Sequence, residues 1–255
     1  MKSVVCIHGF GRHPGGRQSG FSSALRTAVV ELLGSEVAWS EVLWDDLLAS
    51  PDISSSASML IDAHKAVCSF YNGNAGTAIR QRVRGALADA SARADDGGVV
   101  LLGHSFGAAI AYDVVARGLA PDVRDLLMMG APMGLIRHPD MLARNMLGGK
   151  MHGLGGVLHI VGAVAAQISG MADVDFGQLP GGVRAVAFRN PKDKLSAGLG
   201  AEFPDVECRM VAPLPGTRGL EHHRLYWYHE DVADWLSRVL SASQTGGDVA
   251  LSNKL

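Results

Sequence analysis

The 255-residue sequence lacks several features that would indicate particular classes of protein. It has no run of about 20 uninterrupted apolar residues, so no transmembrane helix is predicted. Its formal net charge is −2, and it carries no basic run or acidic tail. Nucleic acids and anionic membranes are therefore not indicated as partners. No apolar signal-peptide segment follows Met1-Lys2, and we expect a cytoplasmic protein.

Cysteine is also scarce, with three residues in the whole sequence: Cys6, Cys68 and Cys208. Their wide spacing matches neither a disulfide framework nor a zinc-binding pattern. We expect reduced, mostly buried thiols in a reducing compartment. Nothing in the sequence indicates a cofactor, and none is expected.

Short apolar runs alternate along the chain with segments whose apolar residues recur at helical spacing. Six runs are predicted to be strands, at 3–7, 37–44, 99–102, 126–129, 184–188 and 206–211. The expected fold is α/β: a doubly wound, mainly parallel six-stranded sheet with helices on both faces. The first helix begins near Ser19, and its predicted buried face is Phe21, Leu25, Ala28, Val29 and Leu32.

We expect a single domain at residues 1–242. Within it, residues 133–180 contain no convincing strand and are predicted to form a cap or lid insertion over the strand ends. Residues 243–255 are polar and rich in glycine, which is typical of a flexible tail.

The third apolar run leads into Gly103-His104-Ser105-Phe106-Gly107, which matches the pattern G-x-S-x-G. A strand precedes the pattern and a helix of small residues follows it, as this motif requires. The turn is expected to hold Ser105 in a strained backbone conformation, with its hydroxyl clear of the sheet. Glycine is needed on both sides because strand and helix pass close together there. Ser105 is therefore the predicted nucleophile.

A serine nucleophile needs a base, and the base needs a carboxylate to orient it. The loops that follow the strands of a parallel sheet meet at one edge, so the acid should follow a strand. Asp193 follows the fifth predicted strand and is the predicted acid. The weaker alternatives are Asp173 and Asp175 in the insertion, Asp205 at the opposite edge and Asp140 after the fourth strand.

Three histidines follow the sixth predicted strand: His222, His223 and His229. His229 adjoins the last helix, whereas His222 and His223 both lie in the loop where a base is needed. Position alone does not choose between these two. With Glu221 the histidines could also form a zinc site, but no carboxylate or cysteine stands at matching spacing elsewhere, and we expect no metal.

Attack on a carbonyl group creates an oxyanion, which two backbone N–H groups should bind. One follows the nucleophile, at Phe106, and the other is expected in the loop after the first strand, at Phe10. His8 is expected to brace that loop. Candidates for contacts with a substrate are Gly11, His104 and Pro132.

Together these features resemble the α/β-hydrolase superfamily, in its lipase- and esterase-like branch. The resemblance rests on His8-Gly9-Phe10-Gly11, Gly103–Gly107, Gly130-Ala131-Pro132, Asp193 and His223. His223-Arg224-Leu225-Tyr226 is similar to the His-x-x-Tyr pattern around the catalytic histidine of some lipase-like members, which favours His223 over His222. The sequence starts at the His-Gly strand, without the two leading antiparallel strands of the family, which implies a minimal six-stranded core.

The resemblance implies a serine hydrolase that cleaves carboxylic esters through an acyl-enzyme intermediate. The apolar residues within 148–171 favour a small-molecule ester with an apolar acyl or alcohol part. A thioesterase, an amidase or an acyltransferase could use the same three residues, and a binding protein could share the fold without turnover. The sequence does not indicate an oligomeric state.

Overall fold

The computed structural model of the chain describes residues 2–10, 20–48, 65–94, 98–137, 174–196, 199 and 202–242. Its centre is one sheet of six strands: β1 (Ser3–Ile7), β2 (Ala38–Val42), β3 (Val99–His104), β4 (Val123–Met129), β5 (Arg184–Arg189) and β6 (Val206–Met210). The strand order is β2-β1-β3-β4-β5-β6, and every neighbouring pair is parallel. The predicted parallel six-stranded sheet is confirmed.

The named helices are α1 (Ser23–Leu33), α2 (Asn74–Arg93), α3 (Phe106–Ala116), α4 (Met133–Arg137), α5 (Glu221–Arg224) and α6 (Glu230–Ala242). Residues 65–72 are also helical. Short 3-10 turns lie at Asp45–Leu47, Lys194–Ser196 and Leu225–Tyr228. No helix among the described residues is long and apolar enough to cross a membrane.

Each face of the sheet carries its own hydrophobic core. Val5 and Leu101 point to one face, where they belong to the same cluster as residues of α2 and α3. Val4 and Val100 point to the other face and cluster with residues of α1 and α6. Successive strand residues alternate between the faces, so a central strand covered on both sides is apolar throughout. The expected doubly wound architecture follows from this pattern.

The first helix differs from its prediction in both start and buried face. It begins at Ser23 rather than near Ser19, and Leu32 is 55% exposed. Leu25 and Val29 are buried, and Leu33 packs against the same core. A spacing of four residues continues from Leu25 through Val29 to Leu33, which leaves Leu32 outside the buried stripe.

The predicted insertion at 133–180 is described only at its two ends. α4 begins at Met133, which is fully buried in the core. Residues 174–180 contain no strand. The apolar piece within 148–171 and the predicted tail at 243–255 lie outside the described residues. The thiols also differ in part from expectation, because Cys6 is buried, Cys68 is half-buried and Cys208 is exposed.

Candidate active site

Ser105 occupies the sharp turn between β3 and α3. Its backbone has φ 53° and ψ −128°, and it is the one non-glycine residue with positive φ in the described part of the chain. Such a conformation costs free energy and persists only when the surroundings impose it. The N–H of Ser105 donates to Met129 O at 2.8 Å, which ties the turn to the end of β4. The side chain is partly exposed at the carboxyl edge of the sheet.

Two glycines allow β3 and α3 to approach each other around this turn. A Cβ atom on Gly103 would lie 2.4 Å from Gly107 O, and one on Gly107 would lie 2.3 Å from His8 O. Both contacts are with backbone atoms, which cannot rotate away. A Cβ atom on Gly9 would lie 2.7 Å from Ser105 Cβ, so the loop after β1 passes directly against the serine. Glycine at these positions follows from steric exclusion.

His223 reaches the serine from α5. Its Nε2 lies 2.7 Å from Ser105 Oγ, and its Nδ1 lies 2.9 Å from Asp193 Oδ2. An ionised carboxylate only accepts hydrogen bonds, so Nδ1 carries the proton. The neutral ring then has its lone pair at Nε2, where it accepts the hydrogen bond of the Ser105 hydroxyl. This orientation suits a general base.

Asp193 is buried, with 6% of its surface exposed, in the turn after β5. Its Oδ1 accepts the N–H of Leu195 at 3.0 Å, while Oδ2 accepts His223. Burial acts to raise the pKa of this carboxyl group. The hydrogen bond and charge of His223, together with the bonds from Tyr226 and Leu195, outweigh burial and lower the pKa below its ordinary value. The carboxylate is therefore held ionised.

Tyr226 is a neighbour of Asp193 to which the sequence reasoning gave no role. Its hydroxyl donates to Asp193 Oδ2 at 3.0 Å and accepts the N–H of Asn190 at 2.8 Å. The signal was present in the spacing, because Tyr226 follows His223 by three residues in a helical segment. Side chains three residues apart share a face of a helix.

The other histidines and acids lie elsewhere. His222 Nδ1 lies 2.7 Å from Thr217 Oγ1, and His229 Nε2 donates to Ala212 O at 2.9 Å. Asp175 accepts the N–H of Gly177, and Asp205 is exposed before β6. Asp140 and Asp173 lie outside the described residues. Among the described candidates, only Asp193 and His223 contact each other, and of the two His223 contacts the serine.

The two predicted oxyanion donors belong to two segments next to the serine, the loop after β1 and the start of α3. Phe106 is the first residue of α3, where a helix leaves its N–H groups without an internal acceptor. Phe10 follows Gly9, which lies against Ser105. Within the described segments, no acceptor takes the N–H of Phe10 or of Phe106. These groups are therefore available to a bound oxygen atom.

His8 supports this loop from below. Its Nε2 accepts the N–H of Trp44 at 3.2 Å, and its carbonyl accepts the Trp44 indole N–H at 2.9 Å. The two rings stack, with 5.0 Å between centroids and an interplanar angle of 9°. The expected bracing role of His8 agrees with these contacts.

The three candidates for substrate contacts have different positions. His104 is buried, and its Nε2 donates to the carbonyl of His223 at 2.6 Å. It therefore supports the backbone of His223, and its contact with a substrate stays a prediction. Pro132 is partly exposed after β4, and its carbonyl caps the start of α4. Gly11 lies outside the described residues.

Among the described residues, no group of three histidine, cysteine or acidic side chains could hold a metal ion.

Comparison with known proteins shows which solved structures resemble this one. No family model matches the sequence, and no curated protein matches it. A solved esterase structure from Rhizomucor miehei superposes with a TM-score of 0.53 at 12% identity, over 96% of this chain and 76% of that one. The NocB thioesterase domain from the nocardicin cluster gives 0.45 at 15% identity over 94% of both chains. An esterase from Pyrobaculum calidifontis gives 0.46 at 15% identity, over 95% of this chain and 76% of that one.

The superposition on the Rhizomucor miehei esterase extends over nearly the whole chain, including the six-stranded sheet. The chain has the α/β-hydrolase fold, as the resemblance implied. At these identities the comparison concerns the fold, and the chemistry must be argued from the residues of the site.

Proposed function

We propose that the protein is a serine hydrolase that cleaves carboxylic esters, with Ser105 as nucleophile, His223 as base and Asp193 as the orienting acid. The observation that carries this proposal is the continuous chain of contacts from Ser105 Oγ to His223 Nε2 and from His223 Nδ1 to Asp193 Oδ2, at 2.7 and 2.9 Å. The strained turn that presents Ser105 supports it independently.

The reaction begins when Ser105 Oγ attacks the carbonyl carbon of the ester and its proton moves to His223 Nε2. Negative charge develops on the carbonyl oxygen, where the N–H groups of Phe10 and Phe106 bind it. Asp193 stabilises the positive charge on His223. The C–O bond to the alcohol then breaks, and His223 returns the proton to the leaving oxygen.

The second half of the reaction releases the acyl group. A water molecule attacks the acyl-Ser105 ester and gives a proton to His223 Nε2. The second tetrahedral intermediate collapses, Ser105 regains its proton and a carboxylic acid leaves. The same residues serve both halves because His223 alternates between base and acid.

The proposed substrate is a small-molecule ester with an apolar acyl or alcohol part. Its apolar character rests on the sequence of 148–171, outside the described residues. Phe10, a partly buried apolar residue that follows Gly9 in the loop passing against Ser105, is in keeping with it. A thioester or an amide would meet the same three groups, so the experiment has to compare the bonds directly.

The test measures hydrolysis of p-nitrophenyl esters of short and long acyl chains by the wild type, Ser105→Ala and Ser241→Ala. Ser241 is an exposed serine at the end of α6 and provides a matched control. We expect Ser105→Ala to lose activity by about 10⁴-fold or more while Ser241→Ala keeps it. A fluorophosphonate probe should label the wild type and Ser241→Ala but not Ser105→Ala.

Equal turnover by the wild type and Ser105→Ala would exclude the proposal. Parallel assays with a thioester and an amide of the same acyl group decide the bond that is cleaved. A higher kcat/KM for the thioester or the amide would replace esterase with that activity while leaving the roles of the three residues intact. A folded wild type that the probe does not label would favour a binding protein without turnover.

A further inference from the structure

The carboxylate of Asp193 accepts a hydrogen bond that the reaction above does not use. The hydroxyl of Tyr226 lies 3.0 Å from Asp193 Oδ2, the oxygen that also accepts His223 Nδ1–H. The Tyr226 oxygen in turn accepts the N–H of Asn190 at 2.8 Å. An amide N–H can only donate, so the phenolic proton is directed at Asp193.

We propose that Tyr226 is a positioning residue for hydrolysis, whose O–H keeps Asp193 ionised and aimed at His223. The inference rests on the proposed function of Ser105. Tyr226 acts through Asp193 and not on the substrate. It joins the turn after β5 to the helical segment after β6, because Asn190 and Asp193 both bond the same hydroxyl.

The phenol ring is held firmly enough to perform this role. Tyr226 is 2% exposed, and a Cβ atom on Gly130 would lie 2.8 Å from its Cε2. The ring therefore packs directly on the backbone at the end of β4. A hydroxyl on a fixed ring directs its hydrogen bond more narrowly than a water molecule, which can reorient.

The electrostatic environment keeps this hydroxyl protonated. Burial raises the pKa of Tyr226 well above its ordinary value, and the nearby Asp193 carboxylate raises it further. Tyr226 is thus a donor throughout the pH range in which a serine hydrolase works. The other titratable groups near the Tyr226 hydroxyl are His223 and His104. The ring of His104 lies against the rings of both His223 and Tyr226.

Two lysines flank Asp193 in the sequence, Lys192 and Lys194, and both are exposed. Solvent screens their charges, so they do not replace the buried donors.

Without the Tyr226 hydroxyl, Asp193 Oδ2 would accept a hydrogen bond from His223 alone. Asp193 would then stabilise the protonated form of His223 more strongly, and Asp193 itself would be easier to protonate. Both changes move the acid side of the activity profile to higher pH.

The test compares Tyr226→Phe with Tyr228→Phe in the full chain. Each variant loses one phenolic oxygen and keeps its ring, but Tyr228 is 65% exposed and serves as the matched control. The first measurement is the rate of fluorophosphonate labelling at Ser105 from pH 5 to pH 9. The second is an NMR titration of the His223 ring nitrogens, assigned with His223→Gln. Circular dichroism verifies that both variants are folded.

We expect Tyr226→Phe to label about 10-fold more slowly near neutral pH, in keeping with the loss of one hydrogen bond to a charged group. The acid midpoint of labelling and the midpoint of the His223 NMR titration should both move to higher pH than in the wild type. Tyr228→Phe should match the wild type in both measurements. A change in packing alone would lower the rate at every pH and leave the midpoints unchanged.

A uniform loss of rate with no shift of either midpoint would overturn the proposal, and so would equal shifts in both variants. A wild type that is folded but not labelled would remove the proposed function instead. The titration of His223 needs no turnover, and an unchanged His223 midpoint in Tyr226→Phe would then also reject the action of Tyr226 on the Asp193–His223 pair.

Discussion

Two regions meet at the carboxyl edge of the sheet, and they are held in place by different means. The elbow between β3 and α3 is fixed by its backbone: Ser105 has φ 53°, and Gly103 leaves no space for a side chain. The loops after β5 and β6 are fixed by side chains, because His223 and Tyr226 both bond the carboxylate of Asp193.

The difference predicts what each region tolerates. The elbow is expected to be sensitive to added atoms, which collide with backbone that cannot move. The loops are expected to be sensitive to the loss of hydrogen-bonding atoms, because a buried carboxylate without its donors has a high free energy. Side chains added at the elbow glycines should therefore act on stability first, and substitutions of the bonded side chains in the loops on activity first.

The largest effect is expected for His223→Gln, compared with His222→Gln. The neighbours differ in their surroundings, since His223 lies between Ser105 and Asp193 while His222 bonds Thr217. Ester hydrolysis should fall by about 10⁴-fold or more in His223→Gln because the serine loses its base. In His222→Gln it should fall by less than about 10-fold. Steady-state kinetics provides the measurement, and the reverse ranking would assign the base to His222.

The next effect concerns the elbow, in Gly103→Ala. The added Cβ would lie 2.4 Å from Gly107 O and 2.5 Å from Ala108 Cα. Because both atoms belong to the backbone, the strand and the helix must separate, and we expect a loss of about 2–4 kcal/mol of unfolding free energy in urea.

Gly85→Ala is the matched control for Gly103→Ala. Gly85 lies within α2, and a Cβ there would meet no atom within 4 Å. It should gain about 0.5–1 kcal/mol, because alanine favours the helix. If both variants were equally stable, steric exclusion at the elbow would be refuted.

A smaller effect is expected at Gly130, which follows β4 and lies against the residues of the loops after β5 and β6. Gly130 has φ +58°, and its Cβ would lie 2.8 Å from Tyr226 Cε2 and 3.2 Å from both Asp193 Oδ2 and His223 Cε1. Gly130→Ala should therefore displace the acid and the base slightly and reduce kcat/KM by about 10-fold. It should also lose about 1–2 kcal/mol of stability from the left-handed backbone.

Gly34→Ala separates these two consequences of the Gly130 substitution. Gly34 has φ +64° at the end of α1, and no atom lies within 4 Å of its Cβ position. It carries the same backbone strain without the contact, so stability should fall while kcat/KM stays at the wild-type value. Equal losses of activity in both variants would show that the contact at Gly130 is unimportant.

Much of the fold followed from the sequence because each strand and helix has its own local period. The alternation of apolar runs with helical segments predicted six parallel strands. The elbow could be located because its two glycines and its serine lie within five consecutive residues. The buried face of α1 was predicted too broadly, and Leu32 is exposed. Helical spacing specifies a direction around the axis, but the width of the buried stripe depends on the neighbour, which here is α6.

The arrangement of the loops after β5 and β6 is less predictable because their contacts join distant parts of the chain. Asp193 and His223 were selected from several acids and histidines by order along the chain and by resemblance, and their catalytic roles stay predictions. The spacing of His223 and Tyr226 does not by itself predict a functional tyrosine, since a tyrosine three residues after a histidine fits a packed core equally well. His104 is a predicted substrate contact, and its hydrogen bond to the carbonyl of His223 joins segments that lie far apart in the sequence.

The smallest expected effect is on the pH dependence of stability. The pKa of Asp193 in the folded chain lies below its ordinary value: burial opposes this shift, but the hydrogen bonds of His223, Tyr226 and Leu195 outweigh it. A carboxyl group whose pKa is lower in the folded state than in the unfolded state stabilises the fold above the unfolded pKa, near 3.9. That contribution is lost as the pH falls through the folded pKa.

Asp193→Asn removes this titration while keeping the size of the side chain. The difference in unfolding free energy between the wild type and Asp193→Asn should be constant from pH 6 to pH 8 and should shift against the wild type below about pH 4. Urea unfolding at a series of pH values measures it. Asp205→Asn is the control, because Asp205 is exposed before β6. A difference in unfolding free energy that stays constant down to pH 3 would mean that Asp193 is not held ionised by its donors. The hydrogen bonds to its carboxylate would then not be what fixes the loops after β5 and β6, and these loops would no longer differ from the elbow in the way described.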